Sequence, residues 1–103
     1  MSGTGGSAAP GPGPGPLKRS LPIGNKRGLH ARAAAKFVRT AGQFDAAVRV
    51  SFKGQEVSGL SIMGLMMLAA GIGSSIDLLC TGRQADEAMA ALAALVEGKF
   101  GED

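Results

Sequence analysis

The chain has 103 residues, which suits one small domain with a modest core. Hydrophobic residues make up 45%, yet Trp and Tyr are absent, so the core must be built from Ala, Val, Ile, Leu, Met and Phe. A net charge of +3 and a pI of ≈ 9.5 point to acidic partner surfaces more than to a dedicated nucleic-acid binder. One cysteine, Cys80, excludes an internal disulfide, and one Cys with one His excludes a soft metal site made by this chain alone. Both facts fit a reducing cytoplasm. No basic-then-apolar leader opens the sequence, and its longest apolar stretch, Ile62 to Ile72, is too short to insert across a membrane.

Residues 1–16 are Gly, Pro, Ser, Ala and Thr after Met1, and nothing there can offset the entropy of ordering. A flexible tail is expected, followed by one domain over 17–103. Arg19 to Ile23 reads as a short strand, with Pro22 confining it to an edge or a bulge. Asn25 to Leu29 reads as a loop. A helix is expected over Ala31 to Ala41: Ala34, Phe37, Val38 and Ala41 form one apolar stripe, Arg32, Lys36 and Arg39 lie opposite, and Gly42 stops it. Asp45 to Lys53 alternates, with Ala46, Val48, Val50 and Phe52 on one face. Gly54 marks a tight turn into a hairpin partner over Gln55 to Leu60.

Ser61 is placed as the N-cap of a short helix from Ile62 to about Ala70. Ser74 to Cys80 forms the last strand, with Cys80 on its core face. A final helix runs from about Gln84 to Val96, with Thr81-x-x-Gln84 as a capping box. Its apolar stripe is Ala85, Ala88, Met89, Leu92, Leu95 and Val96. The order is βαββαβα, and the hairpin favours an α+β fold with a mixed or antiparallel sheet covered by helices on one face.

The single histidine, His30, stands where a glycine-bearing loop meets the first helix. Imidazole, with an ordinary pKa of about 6.5, is a neutral nucleophile near pH 7. A helix start offers free backbone N–H groups to an anion. That combination suits a group that accepts and passes on a phosphoryl group. Arg32 is placed to stabilise the phosphate through charge-assisted hydrogen bonds. Lys36 and Arg39 are candidate steering charges for acidic partners. Met63, Leu65, Met66 and Met67 belong to a helix that is apolar nearly all round, and they are the candidate docking surface.

Gly28-Leu29-His30-Ala31-Arg32 and the Ala-rich run after it resemble the phosphorylatable loop of the HPr family, the histidine phosphocarriers of the bacterial phosphotransferase system. Ser61-Ile62-Met63-Gly64-Leu65-Met66-Met67-Leu68 resembles that family's regulatory-serine segment, and the spacing of the two agrees. The resemblance spans about residues 17 to 103. It implies an open-faced sandwich, a four-stranded antiparallel sheet with three helices on one face. It also implies a carrier rather than an autonomous enzyme, with no cofactor or metal, working as a cytoplasmic monomer. Phosphate would travel on Nδ1 of His30, from enzyme I to a IIA-type protein, with regulation at Ser61 by an HPr kinase/phosphorylase. The chain departs from the pattern at Ala33, where the family usually has Pro. Asn25-Lys26-Arg27-Gly28 is closer to the nitrogen-related branch than to the sugar-transport branch.

Two other classes compete with this reading. A small basic nucleic-acid-binding domain fits the pI but lacks aromatic residues for stacking. A purely regulatory interaction domain would bind partners without relaying phosphate.

Overall fold

The computed structural model describes residues 16–102, so nearly all of the tail expected over 1–16 lies outside the described residues. The elements are β1 (Leu17–Pro22), α1 (Ala31–Ala41), β2 (Ala47–Phe52), β3 (Gln55–Ser58), α2 (Ile62–Met67), β4 (Ser75–Thr81) and α3 (Ala85–Glu97), then a single turn over Lys99–Gly101. The strands form one sheet in the order β1-β4-β2-β3, and every neighbouring pair is antiparallel. The expected α+β fold, with its βαββαβα order, is the observed one.

Alternation decides which face of the sheet is covered. Leu21, Val48, Val50, Ile76, Leu78 and Cys80 are buried beneath the helices. Lys18, Arg49, Glu56 and Asp77 lie along the open face. The stripe of α1 buries Ala34, Phe37 and Ala41 as expected, together with Ala33; Val38 is only partly covered. In α3 Ala93 is buried in addition to the expected residues, while Leu95 is partly buried. In place of Trp and Tyr, the helices bury many alanines, among them Ala33, Ala34, Ala88 and Ala93.

Several boundaries move by one to three residues, for identifiable reasons. β1 ends at Pro22 because the ladder with β4 breaks one residue on: Ile23 N–H still reaches Ser74 O at 2.8 Å, but the Ser74 N–H turns to Gly71 O at 3.1 Å and Ile23 O accepts from Gly73 instead. Pro22 sits on an edge strand, where its missing donor costs no ladder bond. The β2–β3 turn has only two residues, Lys53 and Gly54, both with positive φ (51° and 82°) as a type I′ hairpin requires. α2 stops at Met67 because Ala69 turns left-handed (φ 56°). The capping box at Thr81 does not form. Thr81 is still paired with Ala47 in the sheet, and Gln84 Oε1 instead accepts the Asp45 backbone N–H at 2.7 Å.

Beyond α3 the chain makes a turn that the sequence reading did not anticipate. Lys99, Phe100 and Gly101 all have positive φ (58°, 56° and 75°). For the two L-residues this costs about 1–2 kcal/mol each. Burial of Phe100, worth about 1.5–3 kcal/mol, offsets much of it. Lys36 Nζ donates to Phe100 O at 2.6 Å and fastens the turn to α1.

Candidate phosphoryl-relay site

The site is built where the loop after β1 enters α1. The Gly28 N–H bonds to Asn25 O at 3.2 Å, closing a short turn that needs Gly28 left-handed at φ 64°. Leu29 N–H then bonds to Ala70 O at 3.0 Å, so the histidine loop leans on the segment after α2. A Cβ at position 28 would lie 2.4 Å from that same carbonyl oxygen. Glycine is required here for both conformation and space.

His30, expected where the loop meets the helix, is the N-cap of α1. Its backbone is extended (φ −77°, ψ 178°), and its carbonyl accepts the Ala34 N–H at 2.9 Å. Its ring Nδ1 accepts the Arg32 backbone N–H at 3.3 Å, so one nitrogen faces the open first turn of the helix. The ring is largely but not wholly covered. Lys26, Arg27, Arg32, Lys36, Gly101 and Glu102 line the adjacent cleft, four cations against one carboxylate. Such a cleft attracts an anionic group and focuses it on the helix end.

Two residues that the sequence reading passed over complete the site. Glu102 is hydrogen-bonded to His30 Nε2 through Oε2, and its Oε1 accepts from Asn25 Nδ2 at 3.0 Å. The Asn25 amide, and less strongly His30 and Arg27, hold the Glu102 carboxyl below its ordinary pKa, against the opposing pull of partial burial. In the sequence Asn25 stands only as the first residue of the loop and of the Asn25-Lys26-Arg27-Gly28 run. Glu102 stands 72 residues from His30, and no local pattern links them.

The other expected site residues separate into groups. Arg32 is exposed beside the ring. Arg39 is exposed in the last turn of α1, away from that cleft. Lys36 is half-buried and committed to Phe100 O, so it acts first as a fastener. Ser61 is an N-cap: Oγ accepts the Gly64 N–H at 2.9 Å. In α2 Met63 and Met67 are 67% and 74% exposed, and Met66 is partly so. Leu65 corrects the expected docking set. It is 0% exposed and belongs to the core, because a helix lying on α1 must bury one side chain per turn. Leu60, Ile62 and Ile72 are exposed as well and enlarge the apolar surface around α2.

A sheet open on one face, with a lone histidine at a helix tip among cations, defines a small phosphoryl-carrier protein. Comparison with known proteins agrees. A family profile described as "PTS HPr component phosphorylation site" matches residues 17–98. The chain is 52% identical over 86 residues to the phosphocarrier protein HPr of Cupriavidus necator, covering 84% of this chain and 97% of that one. It is 45% identical over 86 residues to the phosphocarrier protein NPr of Shewanella violacea, covering 84% and 94%. Among solved structures, HPr from Thermoanaerobacter tengcongensis superposes with a TM-score of 0.81 at 41% identity, covering 84% and 98%. The chain belongs to the HPr family, the phosphocarriers of the phosphotransferase system. It is a relay protein of that system. Both HPr and NPr are represented among its relatives, so the Asn25-Lys26-Arg27-Gly28 loop does not by itself assign a branch.

Proposed function

We propose that His30 carries the phosphoryl group on Nδ1, taking it from enzyme I and passing it to a IIA-type protein. Family membership implies these two partners. The observation that supports the assignment is the ring at the N-cap of α1 with Nδ1 turned to the first-turn amide. A phosphoryl group there gains from the helix end by about 0.3–1 kcal/mol, up to about 2 when partly buried. Arg32 adds a charge-assisted hydrogen bond. These contacts are modest, which suits a carrier: a deep cage would hold the phosphoryl group too tightly for onward transfer. The exposed methionines of α2 supply an adaptable apolar surface for successive partners, and Arg39, exposed in the last turn of α1, is a steering charge. Membership of the family supports a cytoplasmic location. The open face of the sheet does not favour nucleic acid, since Lys18 and Arg49 alternate there with Glu56 and Asp77.

His30→Ala removes one partly exposed ring and keeps the core, so the fold should persist while transfer from enzyme I and phosphoenolpyruvate is lost. Transfer retained by this variant refutes the assignment. Ser61 is the regulatory position in the same proposal. Its hydroxyl caps α2, and a phosphate there adds negative charge next to the apolar docking side chains, weakening capture by an acidic donor. Incubation with an HPr kinase/phosphorylase and ATP should mark Ser61; phosphate elsewhere, or none, removes the regulatory part.

A further inference from the structure

We propose that Asn25 is a positioning residue for the relay: it holds Glu102 against His30 Nε2, fixing the ring proton there and leaving Nδ1 as the nucleophile. This rests on His30 being the phosphoryl acceptor.

The hydrogen bonds determine each role in turn. Asn25 is fully buried, and its Nδ2 donates to Gly28 O at 2.9 Å and to Glu102 Oε1 at 3.0 Å. Both partners accept only, so the amide cannot be reversed without setting its oxygen against two others. Its own Oδ1 has no protein partner among the described residues. An apolar side chain would fill this space without that cost, so packing alone does not account for an amide here. The amide joins the histidine loop to the C-terminal turn, and that turn has little freedom of its own. Phe100 is anchored in the core and its carbonyl is held by Lys36. The residue after Gly101 is therefore aimed at the ring.

A carboxylate has no proton to give, so Glu102 Oε2 obliges His30 Nε2 to carry one. From the other side, the Arg32 backbone N–H obliges Nδ1 to accept. The two contacts select the same neutral tautomer. In the transfer step the Nδ1 lone pair forms the new N–P bond while the P–N bond to the donor's phosphohistidine breaks, its electron pair returning to the donor ring. The His30 ring gains positive character as the bond forms. Its proton stays on Nε2 throughout, shared with Glu102, whose charge compensates the ring.

The test reads the tautomer directly, by NMR of the ring nitrogens in unphosphorylated protein. The wild type should show the proton on Nε2. Glu102→Ala should mix the two tautomers and slow phosphorylation by enzyme I roughly two- to tenfold, with His30 still the acceptor. Asn25→Leu keeps the site filled and removes the donors. It should shift the tautomer as Glu102→Ala does, and the double variant should add nothing further. Should Asn25→Leu disturb the loop, Glu102→Gln supplies a second probe. Its amide cannot both accept from His30 and accept from Asn25, so the tautomer should again become mixed. An unchanged tautomer in these variants, or additive effects of the pair, overturns the proposal. A wild type that takes no phosphate at all would instead sink the relay reading and leave the tautomer result standing.

Discussion

Gly28 and Gly54 offer a controlled comparison, because both have positive φ and only one is crowded. At Gly54 (φ 82°) an added Cβ meets nothing within 4 Å. Gly54→Ala should therefore cost only the left-handed penalty, about 1–2 kcal/mol. At Gly28 (φ 64°) the same Cβ would lie 2.4 Å from Ala70 O and 2.8 Å from Gly71 Cα. Backbone must move, and the first casualty is the 3.0 Å bond from Leu29 N–H to Ala70 O, worth about 1 kcal/mol. Gly28→Ala should lose about 3 kcal/mol or more, which is roughly 12–24 °C in Tm for a domain of this size. Without Trp or Tyr, the unfolding is best followed by far-ultraviolet circular dichroism in urea. The same variant should relay phosphate poorly even when folded, since the displaced loop carries His30. Equal losses at the two glycines, or a smaller loss at Gly28, would refute the idea that the histidine loop is braced against the segment after α2.

Two further expectations follow from burial and from charge. Leu65→Ala should cost about 2–5 kcal/mol by leaving a core cavity, whereas Met67→Ala should change stability by no more than about 0.5 kcal/mol yet slow phosphorylation by enzyme I; both are read from urea unfolding and transfer rates. Glu102 has a folded-state pKa below its unfolded one, so its contribution is present above the ordinary carboxylate range and is lost as pH falls through the depressed value. The stability gap between the wild type and Glu102→Ala should hold at neutral pH, begin to narrow as pH falls through the range where a free glutamate titrates, and close below the depressed value. A gap that closes above that range contradicts the geometry around Glu102.

The sequence exposed what periodicity and punctuation can carry. The stripe of α1, the alternation of β2 and the tight turn at Gly54 are local patterns, and each formed close to where the pattern put it, with Lys53 passing from the expected strand into the turn. His30 was legible because a glycine loop and an Ala-rich helix bracket it. Leu65 was misjudged because α2 has only six residues, too few turns for one stripe to stand out in an apolar run. The capping box at Thr81 failed because a strand ladder outcompeted a local side-chain bond. Glu102 and Asn25 were missed for a deeper reason. Their meeting depends on a left-handed turn at Lys99 and Phe100, residues with no intrinsic preference for it. Only the tertiary anchoring of Phe100 and the reach of Lys36 impose that turn.

The account depends most on which atom receives the phosphate. Nitrogen-labelled protein charged by enzyme I and phosphoenolpyruvate, then followed by phosphorus and nitrogen NMR, should show phosphorus bonded to Nδ1 of His30 and a proton retained on Nε2. Phosphorus on Nε2, on a different residue, or nowhere in the protein would contradict it.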